Sequence, residues 1–285
     1  MKFVQKHWRE IIVGILISLN IFVWAALYDK RPSDTLSVYF LDVGQGDAIL
    51  IDSPQHNRVL IDGGKNRKVL TELGQVLSFG DRSIDVVIAT HPDADHIGGL
   101  PEVIARYNVD AFIEPGVTTE NNVNNVLHAQ LDEKNIPKLV AKRGMVLNLG
   151  NDARLTILFP NQDASKLDSN DASIIAKLTY GEESFLFTGD AELRTENILL
   201  NLDASALDSD VLKVGHHGSR TSTFSLFAEA VSPEYAVISA GKDNTYGHPH
   251  QEVLDRLQEL SAKIVSTIDK GTIKFETDGK TLKTK

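Results

Sequence analysis

Along most of the chain, apolar residues fall in short blocks broken by polar turns, and one longer apolar block stands apart near the start. The runs at 36–41, 48–51 and 58–61 are short and rich in Val, Ile and Leu, which predicts strands. A helical stretch follows at 68–77, then a buried-strand run at 85–89 and a second helix at 100–107. Strands are predicted at 111–113 and 138–140, with a helix at 123–134 between them. The later half continues in the same way, with strands at 154–159, 173–178, 184–188, 211–214, 235–239 and 263–266, and helices at 193–201, 222–230 and 251–260. Two strand-rich halves, each carrying helices, suit an α+β chain of two stacked sheets covered by helices on their outer faces. The pattern contains no low-complexity segment and no short repeat.

The isolated block runs from Ile11 to Leu27, behind Lys2, Lys6 and Arg9 and ahead of the polar break Asp29-Lys30-Arg31-Pro32-Ser33-Asp34. At about 1.5 Å per residue it reaches about 26 Å, enough to span a bilayer if Trp8, Trp24 and Tyr28 sit at the interfaces. Val23-Trp24-Ala25 passes loosely as a cleavage site, but the block is longer than most signal sequences, so an anchor is expected. The resulting division is a short cytoplasmic tail at 1–10, a transmembrane helix or signal anchor at 11–28, a linker at 29–35 and a folded domain at 36–285. Basic residues ahead of the block predict a single-pass protein in the cell membrane, with the bilayer as partner of 11–28 and the domain on the extracytoplasmic side.

Cysteine is absent, which excludes disulfides, thiolate metal sites and cysteine nucleophiles, so any metal rests on His, Asp, Glu or Asn. The net charge of −10 advertises no large phosphate-binding surface.

The densest chemistry is Thr90-His91-Pro92-Asp93-Ala94-Asp95-His96-Ile97-Gly98-Gly99, directly after the apolar run 85–89. Two imidazoles and two carboxylates on a sharp loop can aim alternate side chains at two neighbouring ions, and the glycines let the following helix pack closely. Other ligand types end apolar runs elsewhere: Asp62 before Gly63-Gly64, Asp190 after Gly189, His216-His217 after 211–214, and Asn170-Asp171 before 173–178. Gly44-Gln45-Gly46 lacks a third glycine and a dinucleotide-type βαβ context, and it reads as a tight turn near the metals.

Six ordered segments carry a family resemblance: Leu41-Asp42-Val43-Gly44-Gln45-Gly46-Asp47-Ala48, the 91–96 loop, Asn170-Asp171-Ala172-Ser173, Thr188-Gly189-Asp190, Gly215-His216-His217-Gly218-Ser219, and Tyr246-Gly247-His248-Pro249-His250. From about residue 36 to the end the chain resembles the metallo-β-lactamase superfamily, and within it the hydrolase domain of ComEC-type DNA-uptake proteins. The resemblance implies the four-layer αββα sandwich and two divalent ions, Zn²⁺ or Mn²⁺. His91 and Asp93 would serve one ion, Asp95 and His96 the other, with Asp190 bridging. Asp62 would buttress the loop, Asn170 would support it, and Asp171 and one of His216 or His217 would complete the ligands. Asp93 and Asn170-Asp171 stand where most of the superfamily carries His, which hardens the ligand set, suits Mn²⁺ as well as Zn²⁺, and is the ComEC-type pattern.

The implied activity is hydrolysis by water activated between two ions, with a phosphodiester as substrate, DNA in the ComEC-type case. Asp95 and His248 are the expected catalytic side chains; Ser219, His248 and His250 are expected at the substrate, and Lys213 is a weaker candidate. The alternatives are an exported phosphodiesterase acting on choline phosphate or another envelope substituent, and a non-catalytic, membrane-tethered metal-binding module. β-Lactam hydrolysis fits less well, because both departures fall in its ligand set.

Overall fold

The computed structural model describes residues 2–29, 34–117, 119 and 121–285. It divides into the N-terminal helix α1 (Lys2–Asp29) and a compact unit from Asp34 to Lys285. Most of the expected linker, residues 30–33, lies outside the described residues, as do the side chains of Val23, Ala25 and Tyr28. The expected transmembrane helix at 11–28 is corrected in one respect: among the described residues, no helix is long and apolar enough to cross a membrane. Gly14, Ser18 and Asn20 dilute the apolar stretch of α1.

In the large unit, β1 (Leu36–Phe40), β2 (Ile49–Asp52) and β3 (Arg58–Ile61) form an antiparallel meander. After α2 (Lys68–Val76) the chain returns parallel as β4 (Ser83–Ile88). It continues through α3 (Ala94–Ile97), α4 (Leu100–Arg106), β5 (Asn108–Glu114), α5 (Asn122–Glu133) and β6 (Lys138–Val140). The second sheet begins with β7 (Val146–Gly150), β8 (Ala153–Phe159), β9 (Ile175–Tyr180) and β10 (Glu183–Phe187). Then α6 (Leu193–Asp203), β11 (Val211–Lys213), α7 (Ser225–Val231), β12 (Tyr235–Ile238), α8 (Gln251–Glu259) and β13 (Lys263–Ser266) complete it. After α9 (Thr267–Lys270), β14 (Ile273–Thr277) and β15 (Leu282–Thr284) cross back to the first sheet.

The strand orders are β15-β14-β1-β2-β3-β4-β5-β6 and β13-β12-β11-β10-β9-β8-β7. Each sheet is antiparallel at one end and parallel at the other: β3 to β6 in the first, β10 to β13 in the second. Alternation along each strand decides which layer a side chain joins. Phe185 and Phe187 point between the sheets, where Phe40 and Phe275 meet them, while Leu186 faces outward onto the helices. Three apolar layers result: one between the sheets, one under α2, α4 and α5, and one under α6, α7 and α8. The four-layer αββα sandwich read from the sequence is therefore the fold. The loops leaving the parallel strands at their C-terminal ends carry the residues described next.

Candidate metal centre

The 91–96 loop leaves β4 and is pinned from β3. Asp62, buried at φ 60°, accepts the Thr90 backbone N–H at 2.7 Å and the Thr90 hydroxyl at 2.7 Å, and takes a hydrogen bond from His96 Nδ1 at 2.7 Å. With its own proton given to Asp62, Thr90 Oγ1 accepts from His91 Nδ1 at 3.0 Å. One carboxylate thus orients both rings, turning each Nε2 away from it. The glycines serve the predicted close approach: a Cβ on Gly98 would stand 2.1 Å from the Lys65 carbonyl oxygen, and one on Gly99 2.2 Å from that of Gly63.

Asp190, just beyond β10, is the meeting point. Its Oδ1 lies 3.3 Å from His96 Nε2, and its Oδ2 lies 4.0 Å from His91 Nε2, 3.6 Å from His216 Nε2 and 3.4 Å from His217 Nε2. His216 and His217 follow β11 at φ 47° and 55°, a left-handed pair that the sequence tolerates because Gly218 follows and Thr223 Oγ1 accepts the Gly215 N–H. Both rings are anchored by Nδ1, His217 on the Ser239 carbonyl at 2.9 Å, His216 beside Glu192 at 3.3 Å and Thr221 at 3.2 Å. The choice between them left open by the sequence resolves into two rings, both presenting Nε2. Asp93 approaches His91 Nε2 at 3.8 Å, and Asp95 approaches His217 Nε2 at 3.5 Å.

The electrostatics follow from burial. His91 is pushed down to about 3, by desolvation first and by neighbouring His96 second. His96 and His217 go the other way: burial opposes them, yet Asp190 with Asp62 or Asp47 lifts each well above the ordinary imidazole range. Asp190 is held far below the carboxylate range by His217 and His96, against the cost of burial. Despite this, Nε2 of His91, His96 and His217 and Oδ1 of Asp190 are buried without a hydrogen-bond partner. Buried polar atoms are normally satisfied, and several converging orphans of ligand type are what a cation would complete. The residues fit divalent metal, and Asp190 lies between His91, Asp93 and His216 on one side and Asp95, His96 and His217 on the other.

Other expected positions fall elsewhere. Asp171 turns toward Arg194 at 3.5 Å and Thr195 Oγ1 at 3.4 Å, its carboxyl raised by burial and by Glu192 and Asp168. Asn170 donates to Glu192 at 3.3 Å, one step removed from His216. Ser219 is buried with its hydroxyl on Thr221 at 3.1 Å, and His250 Nδ1 accepts the Arg220 N–H at 3.2 Å, so both shape the 219–221 loop. His248 does reach the site: its ring lies 5.5 Å from His216 and 6.3 Å from His217, backed by exposed Tyr246 at 5.6 Å. Its Nδ1 is buried without a partner. Burial, then His216 and His217, pushes it down to about 4.

Sequence reasoning missed two participants. Asp47 forms a compact buried group with His96, Asp190 and His217, whose nearest ligand atoms lie within 4.8 Å of one another. Glu192 orients His216 as Asp62 orients His96.

Residues 41–242 match the family model described as the metallo-beta-lactamase superfamily. ComE operon protein 3 of Bacillus subtilis is 35% identical over 90% of this chain and 34% of its own length. Recombination protein 2 of Haemophilus influenzae is 29% identical over 87% of this chain and 30% of its own length. The chain thus spans about a third of these curated relatives. Among solved structures, CmlA, a diiron β-hydroxylase from Streptomyces venezuelae, superposes with TM-score 0.53 at 14% identity, covering 82% of this chain and 52% of that one, a likeness of fold. The matched span runs from the end of β1 to the loop beyond β12 and encloses Asp47, His91 to His96, Asp190 and the His216-His217 pair, so the chain belongs to the metallo-beta-lactamase superfamily.

Proposed function

We propose that this chain hydrolyses phosphodiester bonds with two divalent metal ions, Zn²⁺ or Mn²⁺. The observation that carries the reading is the convergence of four imidazole Nε2 atoms on the single buried carboxylate of Asp190, with Asp93 and Asp95 at its flanks. His91, Asp93 and His216 would hold one ion, Asp95, His96 and His217 the other, and Asp190 would serve both. When bound, such ions supply Lewis acidity and an activated water.

The chain's own residues do the rest. Asp62, Glu192 and the Ser239 carbonyl fix the rings, so the ligand geometry costs little reorganisation. Asp93 and Asp95, both part-exposed, are the carboxylates at the rim of the cluster, and Asp95 is the one beside His217. His248, uncharged at neutral pH and backed by Tyr246, is placed to orient a phosphoryl oxygen by donating a ring N–H hydrogen bond.

The names of the relatives, one of them a recombination protein, support DNA as the phosphodiester. A second reading, a small or envelope-bound phosphodiester such as a choline phosphate ester, is favoured by the net charge of −10. Turnover of single- and double-stranded DNA and of bis(p-nitrophenyl) phosphate, each with Mn²⁺, Zn²⁺ or EDTA, separates them. DNA cleavage that EDTA and Asp190→Ala both abolish supports the nuclease. Ester turnover without DNA cleavage moves the assignment to the second reading, and inertness on every phosphodiester overturns both.

A further inference from the structure

Beneath the metal-facing rings lies an ion pair that the reaction does not use. Lys213 is the last residue of β11, in the second sheet, and is fully buried. Its ammonium donates to Asp47 Oδ2 in a very short contact and to the Gly189 carbonyl at 3.1 Å. Asp47 comes from the turn between β1 and β2 in the first sheet, so the pair joins the two sheets directly under the cluster. The same ammonium stands 3.8 Å from Asp190 Oδ1. Asp47 lies 3.5 Å from His217 and 3.9 Å from His96, in each case on the Nδ1 edge of the ring, opposite the Nε2 that faces Asp190. Its proximity to His96, Asp190 and His217 is therefore that of a residue behind the rings, not of a fourth ligand among the Nε2 atoms.

We propose that Asp47 is a positioning residue that holds the Lys213 ammonium off Asp190, leaving the Asp190 carboxylate free to bind metal. A buried ammonium must lie against an anion. Among the described residues, Asp47 and Asp190 are the acidic partners of Lys213, and Asp47 has the shorter contact. With Asp47 neutral, the ammonium's remaining anionic partner is the carboxylate on which the four imidazoles converge. A monovalent cation fixed there competes with the divalent ions for the same oxygen. Removing both charges takes the competitor away along with its restraint.

The inference rests on the reading of the cluster as a metal centre, and the experiment separates the two. Metal-stripped full-length protein is titrated with Mn²⁺ and with Zn²⁺ by calorimetry, with circular dichroism confirming the fold. Asp47→Asn is expected to weaken affinity about tenfold or more, a typical cost of disturbing a group behind the ligands. The Asp47→Asn/Lys213→Met double variant is expected to return to within a few-fold of the parent. Asp47→Asn with parental affinity overturns the proposal. So does a double variant as weak as Asp47→Asn, because Asp47 would then act as a direct ligand. If Asp47→Asn does not fold, Lys213→Met alone decides: affinity equal to or above the parent supports the proposal, and weaker affinity overturns it. A parent that binds no divalent ion removes the metal-centre reading itself, and the proposal with it.

Discussion

At the scale of the residue, the centre depends on which nitrogen each imidazole presents. Asp62 receives the Nδ1 proton of His96 directly and that of His91 through the Thr90 hydroxyl, so one carboxylate sets two imidazole rings. Its removal leaves both rings free to flip while every Nε2 donor survives. Asp62→Ala is therefore expected to lower metal affinity by about 10- to 100-fold, read by competition with a chromogenic chelator. Asp190→Ala removes the oxygen pair on which both halves of the centre depend, and bound metal measured by elemental analysis should fall together with turnover. An Asp190→Ala protein that keeps both metal and activity would mean that the two halves are held independently.

At the scale of the element, α6 positions the His216-His217 loop through Glu196, which is buried and accepts the Phe224 N–H at 3.0 Å and that of Thr223 at 2.5 Å. Burial is the largest influence on this carboxyl and lifts it from 4.5 to about 7, against the pull of the two N–H groups and Arg256. The native state thus holds the proton more tightly than the unfolded chain does. The stabilisation is complete below about pH 4.5 and is lost as pH rises through about 7. Relative to Glu196→Gln, the parent should lose on the order of 3 kcal/mol across that window, measured by urea denaturation of both proteins at pH 4.5 and 8. Parallel pH profiles would refute the assignment. The same scale shows what the pattern of apolar residues could and could not disclose. Strands bounded by turns and buried on one or both faces, such as β3, β4 and β10, were legible. The strand β14 carries a clean alternation, Ile273-Lys274-Phe275-Glu276-Thr277, and an Asp278-Gly279 turn to β15, so its signal was present but unread. The edge strand β7 exposes Val146 and contains Asn148, and no pattern distinguishes it from a loop. The metal loop was legible because its four ligand-type residues are local. The pairing of Asp47 with Lys213 was not, because a buried pair formed across two sheets leaves in the sequence only a lysine inside an apolar run.

At the scale of the whole molecule, the unit from Asp34 to Lys285 contains all three apolar layers and every residue of the centre. Expressed without residues 1–33 it should fold cooperatively and bind the same number of metal ions per chain as the full protein, as measured by elemental analysis of both. The distribution of charge constrains the substrate more sharply. The rim arginines are already paired, Arg194 with Asp171 at 3.5 Å and Arg220 with Glu252 at 3.5 Å, and the chain as a whole is acidic. Such a surface can neutralise few phosphates beyond the one at the metals. If DNA is the substrate, its affinity should therefore fall only gently with salt, with a logarithmic slope of about −1 to −2, where a protein gripping many phosphates shows a slope several times steeper. Anisotropy of a labelled oligonucleotide, bound to metal-loaded protein under non-cleaving conditions between low and physiological salt, reads the slope directly. A shallow slope means that the strand is held at the metal centre and little elsewhere. A steep one means that a basic track outside the centre guides the strand, and the acidic net charge then does not count against DNA.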